Sequence, residues 1–357
     1  MPDLDSQLAA CSHERLLPQS VGKQVLITVA GFTAVLLVVM EIKARQDDLR
    51  INYYPPREDL WVSQWLELDA LPDDQLVIIG ASRMQFGVIV PEWKNVTGVK
   101  PQMLAFPGSP PGPVLTKLAE RKSFRGTILC GFAPPFSFCH EDSPTFNRMT
   151  NNFKAIEPSR YSLSHHLSLA THDLLKPMFK CFNSSAYSPV LLSYSNFPIT
   201  NREGTLLTPL FPFAGSLDRE LQFRFTDNIE VVIKQGIVDQ IQNSSRRVIR
   251  FYGPADVEEM IKQYKDNVAT IESRGEKAIF VRPPSDGLYL AFEEEHFPRE
   301  RFFDRIVRET GCMGVHFQDY PELKDFLCVE DSHLRVEDSL EYTRRLIKIL
   351  RRENAIE

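Results

Sequence analysis

The sequence has no excess of positive charge with which to hold a nucleic acid. Its 357 residues carry 41 lysines and arginines against 47 aspartates and glutamates, a formal net charge of −6. Because phosphate backbones are bound by clustered basic side chains, this balance predicts no nucleic-acid partner. The composition, 43% hydrophobic and 25% charged, is typical of a globular protein.

Sequence motifs that hold metals or nucleotides are also missing. There is no C-x-x-C pair, P-loop, G-x-G-x-x-G or H-E-x-x-H, so we predict neither a metal nor a cofactor. The acidic run at 293–296 is interpreted as a solvated loop, because consecutive residues do not converge on one ion. If the domain is exported, the sequence leaves two disulfides undecided, one between Cys130 and Cys139 and one between Cys312 and Cys328.

One long apolar run lies near the N-terminus. Residues 25–40 contain no charge and would span roughly 24 Å as a helix, slightly less than a hydrocarbon core of about 30 Å. The run has no polar face and no small-residue cleavage site after it, which disfavours a core helix and a cleaved signal peptide. We predict an N-terminal tail at 1–23 and a single transmembrane anchor at 24–42. The alternative is a core helix in a cytosolic protein.

After a linker at 43–73, short apolar segments alternate with amphipathic ones. Strands are predicted at 76–80, 103–106, 127–133, 277–281 and 314–317, and helices at 113–122, 256–274, 300–310 and 340–350. Continuous apolar strands are typical of a parallel sheet that is buried on both faces. The alternation predicts an α/β domain at 74–357 with a doubly wound, mostly parallel, flavodoxin-like three-layer sheet. Residues 140–245 show little periodicity and are interpreted as a loop-rich insertion.

Two short segments carry side chains suited to acyl transfer. Ser82 follows the first strand in the sequence G-A-S-R, where parallel sheets collect reactive groups. Met84 replaces the last glycine of G-x-S-x-G, so the nucleophile elbow of α/β-hydrolases is disfavoured. His333 follows Glu330 and Asp331 on one loop, and either carboxylate can orient its imidazole as a base. The alternatives are a helix-capping serine and a histidine in a solvated acidic loop.

The combination of these segments resembles a known superfamily. A strand followed by G-A-S-R, a Phe-Pro-Gly-Ser turn at 106–109, and an acidic Ser-His-Leu loop before a terminal amphipathic helix are similar to SGNH (GDSL-like) hydrolases. The resemblance is to their membrane-anchored bacterial branch, associated with acylation of cell-surface polysaccharides, and covers about 74–138 and 276–352. It implies that Ser82 is the nucleophile, that His333 is the base and then the acid, and that the backbone N–H groups of Ser82 and Gly108 belong to an oxyanion hole.

The sequence departs from the family pattern at two positions. The usual acid is an aspartate three residues before the histidine, where this chain has Glu330, with Asp331 next to it. The usual oxyanion asparagine is missing from 131–137, where Ser137 is the candidate substitute. Arg83 and Arg282 are candidates for binding an acidic sugar or a carboxylate, and for Arg83 a structural ion pair is the favoured alternative.

The resemblance implies a membrane-anchored serine esterase or O-acyl (acetyl) transferase that acts on cell-surface carbohydrate. The alternative is a catalytically degenerate SGNH scaffold that serves as an interaction subunit of a membrane assembly. The expected partners are the membrane, a carbohydrate or acyl-ester substrate, and a membrane protein that donates the acyl group. The expected location is the bacterial inner membrane, single-pass, with a periplasmic domain. Basic residues at 43–57 favour the cytoplasmic side under the positive-inside rule, which weakens for long translocated domains.

Overall fold

A five-stranded parallel sheet forms the centre of the protein. The computed structural model describes residues 19–46, 58–71, 75–179, 181, 213–215, 221–223, 254–328 and 331–357. The strands of the sheet are β1 Gln75–Ile79, β2 Gln102–Met103, β3 Gly126–Gly131, β4 Lys277–Arg282 and β5 Met313–His316. Their order is β2-β1-β3-β4-β5, and every neighbouring pair is parallel. This is a doubly wound order that reverses between β1 and β3, and the predicted α/β class is confirmed.

Helices connect the strands and continue beyond them. They are α1 Gln19–Gln46, α2 Glu58–Glu67, α3 Ser82–Gly87, α4 Val90–Thr97, α5 Gly112–Glu120, α6 Pro134–Ser137, α7 Pro144–Arg160, α8 Leu163–Met178, α9 Pro254–Glu272, α10 Gly287–His296, α11 Phe303–Thr310, α12 Pro321–Lys324 and α13 Val336–Arg352. A short antiparallel pair joins Phe213–Gly215 to Leu221–Phe223, and its second strand contacts α3 and α13.

Successive residues of each strand face opposite sides of the sheet, and helices cover both sides. On one side, Ile79 and Phe280 belong to a cluster completed by α2, α5, α7, α9 and α11. On the other side, Ile78 and Ile279 belong to a cluster completed mainly by α4 and α13. Because both faces are covered, the central residues of the strands are apolar on both sides of the sheet, which explains their continuous apolar runs.

Helix α2 lies in the segment that the sequence assigned to a linker, yet it belongs to the core. Trp61 is fully buried, and its indole N–H donates to the carbonyl oxygen of Leu104 at 2.8 Å. Trp61 stacks on Trp65 with ring centroids 5.5 Å apart, and both rings meet Phe153 edge-on. The tryptophans therefore attach the segment before β1 to the domain.

The first part of the predicted loop-rich insertion is helical. Ser143 caps α7 by accepting from the N–H of Phe146 at 3.1 Å, and Ser162 caps α8 by accepting from that of His165 at 3.2 Å. Helix α7 buries Met149, Asn152 and Ile156 at helical spacing. This part of the interpretation is wrong, because the polar composition and Pro158 obscure a periodicity carried by few residues. Most of 182–245 lies outside the described residues.

Helix α1 contains the apolar run and is longer than predicted. Within residues 22–43 the most apolar window of 18 residues has a mean hydropathy of 2.5, and none of that window is buried. The helix is long and apolar enough to cross a bilayer, and on these grounds it supports single-pass membrane anchoring.

Candidate functional site

Ser82 lies at the carboxyl end of β1, beside the point where the strand order reverses. It is the first residue of α3. The N-cap of this helix is Ala81, so the alternative that Ser82 is a helix-capping serine is wrong. Gly80 has a φ of +145°, and a Cβ there would lie 3.1 Å from the carbonyl oxygen of Gly131 and 2.9 Å from Met84. Only glycine permits this close approach of β1, α3 and β3, which brings Ser82 to the edge of the sheet.

The loop that carries His333 packs against α3. The Nε atom of Arg83 donates to the Oγ atom of Ser332 at 3.2 Å. One turn further along α3, the ring of Phe86 lies 4.8 Å from the ring of His333, between centroids. The His333 side chain is half-buried, with a buried Nε2 atom. The fold thus brings together the two segments that carry Ser82 and His333.

Asp331, one of the two candidate acids, stabilises the start of α10. Its carboxylate accepts from the N–H of Leu288 at 2.9 Å, at the start of α10, and its carbonyl oxygen accepts from the N–H of Asp286 at 2.9 Å. Its φ of +62° turns the chain so that both contacts form. Glu330, the other candidate, lies outside the described residues.

Gly108 lies in the turn that follows β2, the strand next to β1 in the sheet. Its φ is +63°, and a Cβ at this position would lie only 2.8 Å from the Nη1 atom of Arg148. Arg148 comes from α7, is exposed, and has no carboxylate partner among the described residues. A guanidinium group therefore lies beside the proposed oxyanion donor Gly108. The sequence did not indicate Arg148, because it lies in the segment interpreted as loop.

Ser137, the proposed substitute for asparagine, is occupied within its own helix. Its Oγ atom accepts from the N–H of Ala133 at 3.1 Å, and its carbonyl oxygen accepts from the hydroxyl of Tyr264 at 3.2 Å. The side chain is buried. These contacts stabilise the turn after β3.

Arg83 and Arg282 share a buried carboxylate of the protein itself. Glu293 forms ion pairs with Nη1 of Arg83 at 2.9 Å and with Nη2 of Arg282 at 2.5 Å, and all three side chains are buried. Burial lowers the pKa of Arg282 to about 10 although Glu293 acts in the opposite direction, so the guanidinium stays charged near neutral pH. The favoured ion pair of Arg83 is present. The interpretation of 293–296 as a solvated loop is wrong, because Glu293 lies on the inner face of α10.

A cavity of about 240 Å³ adjoins this cluster at the carboxyl ends of β4 and β5. Arg282 and His316 are register partners that end these two strands, and both line the cavity. Burial and the neighbouring charges of Arg282 and Arg299 lower the pKa of His316 to about 3. The imidazole is therefore neutral at physiological pH. No feature of the sequence had indicated this residue.

None of the described cysteines forms a disulfide, so neither disulfide considered from the sequence is present. Within the described ranges, no group of three or more histidine, cysteine or acidic side chains is placed to hold a metal. No family model, no curated protein and no solved structure matches the chain.

Proposed function

We propose that this protein is a membrane-anchored SGNH-type serine enzyme, an esterase or O-acyl (acetyl) transferase that acts on cell-surface carbohydrate. The observation that carries the proposal is the hydrogen bond of 3.2 Å from Arg83 to Ser332. It joins the residue after Ser82 to the residue before His333, at the edge of the sheet where α/β proteins bind ligands. A hydroxyl and an imidazole on adjoining segments are the minimum for nucleophilic acyl transfer.

In the proposed reaction, the Oγ atom of Ser82 attacks the acyl carbonyl while His333 accepts its proton. The tetrahedral intermediate collapses when His333 returns that proton to the leaving oxygen, which leaves the acyl group on Ser82. Water or a sugar hydroxyl then attacks the acyl-enzyme, and His333 carries the second proton back to Ser82. An esterase and a transferase differ only in which acceptor reaches the acyl-enzyme.

The negative charge of the tetrahedral oxygen needs hydrogen-bond donors that are already in place. The N–H groups of Ser82 and Gly108 are the proposed donors, and Arg148 beside Gly108 adds positive charge in place of the missing asparagine. Loss of one such donor typically lowers the rate by about 10² to 10³. The strand Leu221–Phe223 of the insertion contacts α3, the helix that begins at Ser82. This strand is therefore positioned to help select the acceptor.

Helix α1 supplies the anchor in this proposal. It holds the domain at the bacterial inner membrane on the periplasmic side, where a membrane protein can deliver an acyl group. A single span of 22 residues, most of them apolar, is sufficient for stable anchoring.

One observation favours a second candidate, the non-catalytic scaffold. Asp331 uses its carboxylate at the start of α10, and Ser137 uses its hydroxyl within α6. Two of the polar groups proposed for the site therefore serve the fold. An interaction subunit that kept the SGNH framework would show this pattern.

Hydrolysis of 4-nitrophenyl acetate by the full chain in detergent micelles separates the two candidates. We expect Ser82→Ala and His333→Ala each to lower the rate by at least about 10³-fold, and Ser273→Ala and His296→Ala to leave it unchanged. A fluorophosphonate probe should label the wild type at Ser82 and leave Ser82→Ala unlabelled. Hydrolysis that both active-site substitutions leave intact would remove the catalytic proposal. A folded wild type that neither turns over the ester nor takes up the probe would support the scaffold.

A further inference from the structure

Helix α8 exposes a straight apolar stripe. Leu163, Leu167, Leu174 and Met178 are 71%, 56%, 64% and 57% exposed. At 100° per residue these four side chains fall within an arc of about 60°, so they form one continuous face along the helix. Among the helices and strands that the structure describes, none packs extensively against α8. Such a face needs a cover, because an isolated helix of this length is marginal in water.

The opposite side of α8 is turned toward the domain. His165 lies about 180° from the centre of the apolar stripe. Burial and the neighbouring His166 lower its pKa, while Asp59 of α2 acts in the opposite direction. The Nε2 atom of His165 is buried, so this side of α8 faces the protein. The apolar stripe, on the opposite side of the helix, therefore faces away from the protein.

The end of α8 is tied to the end of the candidate transmembrane span. The N–H of Cys181, three residues after α8 ends, donates to Oε2 of Glu41 at 2.9 Å. Glu41 lies in the last turn of the span at 22–43, where it also forms an ion pair with Arg45 at 2.7 Å. A carboxylate at this position belongs at the membrane–water boundary. The contact therefore holds the C-terminal end of α8 at the level where the chain leaves the bilayer.

We infer that α8 is an interfacial helix that lies on the bilayer beside α1, with its apolar stripe among the lipid headgroups and upper acyl chains. This inference rests on the membrane anchoring in the proposed function, but not on any catalytic activity. A bilayer surface suits the stripe because amphipathic helices insert such a face at the headgroup–acyl boundary. With α1 and α8 both attached, the domain would keep one orientation to the membrane, whereas a single span leaves it free to tilt.

Lipid contact can be measured with added tryptophans in the full chain. The variants Leu174→Trp on the stripe, Val35→Trp in α1 and Lys265→Trp on the exposed side of α9 are reconstituted in phosphatidylcholine vesicles. Two sets of vesicles are used, with bromine near the ester groups in one and near the ends of the acyl chains in the other, so that shallow and deep tryptophans are both quenched. The wild type, whose tryptophans at 61, 65 and 93 are buried, gives the emission to subtract. We expect Leu174→Trp to lose most of its added emission, as Val35→Trp does, while Lys265→Trp keeps its emission.

Each result decides the matter. If Val35→Trp is quenched but Leu174→Trp emits like Lys265→Trp, α8 does not touch lipid and the inference is overturned while the anchor stands. If Leu174→Trp emission is blue-shifted without quenching, a second copy or another segment of this chain covers the stripe, which also overturns it. If Val35→Trp is not quenched, the anchor fails and the inference fails with it. The Leu167→Asp variant should restore the emission of Leu174→Trp in brominated vesicles, because a charge on the stripe weakens insertion.

Discussion

Arg83 and Ser332 form a buried hydrogen bond of 3.2 Å although 249 residues separate them in the chain. Arg83 follows Ser82 in α3, and Ser332 precedes His333 in the loop before α13. The same guanidinium is paired with Glu293 at 2.9 Å and lies over the ring of Tyr289. The two proposed catalytic residues therefore flank a contact whose own members are engaged in holding the fold together.

Removal of the shared carboxylate should destabilise the protein strongly. In Glu293→Gln, Arg83 and Arg282 would stay buried without a negative charge between them. We expect the free energy of unfolding to fall by about 3 to 5 kcal/mol, the usual cost of an uncompensated buried charge. Thermal unfolding of the full chain in detergent measures the change. The matched control is Glu295→Gln, an exposed neighbour on the same helix, which should shift stability by less than about 0.5 kcal/mol. Equal melting temperatures for the two variants would show that the cluster is not stabilising.

Arg148 provides a test of the proposed oxyanion site. If its guanidinium stabilises the tetrahedral intermediate, Arg148→Met should lower kcat for the aryl ester by about 10²-fold and change KM little, because the charge develops only in the transition state. Lys154→Met is the matched control, an exposed cation on the same helix. A rise in KM at constant kcat would instead mean that Arg148 only binds the substrate.

Substitutions of the two acids near His333, Glu330 and Asp331, should differ in their effects on stability and on activity. Asp331→Ala removes the acceptor for Leu288 and should lower the free energy of unfolding by about 1 kcal/mol. Asp331→Asn keeps an acceptor oxygen and tolerates the positive φ, so stability should hardly change. We expect Asp331→Asn to retain ester hydrolysis and Glu330→Gln to lose it. Loss of hydrolysis in a stable Asp331→Asn variant would identify Asp331 as the orienting acid.

The neutral state of His316 predicts a pH dependence of stability. Its folded pKa of about 3 lies below the ordinary value of 6.5. Between these values the unfolded chain binds a proton that the folded chain does not. The contribution of His316 is therefore complete above about pH 6.5 and is lost as the pH falls toward 3. At pH 4.5 the loss should be about 3 kcal/mol, at about 1.4 kcal/mol per unit.

Melting temperatures at pH 7 and pH 4.5 test this expectation. The melting temperature of His316→Gln should fall less between the two pH values than that of the wild type, because the substituted side chain does not titrate. His140→Gln, on a half-exposed histidine elsewhere in the chain, should follow the wild type. Parallel pH profiles for all three proteins would contradict a buried neutral imidazole at His316.

Local pattern was sufficient for the sheet and insufficient for the insertion. The central residues of the strands around Ile78, Leu129 and Ile279 are apolar on both faces of the sheet, a pattern that follows directly from burial on both sides. Helix α7 buries only Met149, Asn152 and Ile156, one of them polar, while Phe153 is partly buried. The apolar residues of α7 at helical spacing are therefore too few to predict this helix from the sequence.

The sequence by itself determined the alternation of strands and helices, the apolar helix near the N-terminus, and the placement of Ser82 after the first strand, since each depends on neighbours along the chain. Only the tertiary structure decided that Glu293 is buried between two arginines, that Asp331 holds the start of α10, and that Arg148 reaches Gly108. Those contacts join residues from different parts of the chain. The chemical type of a side chain does not indicate which of the other residues it will contact. Burial and pairing depend on how the layers pack.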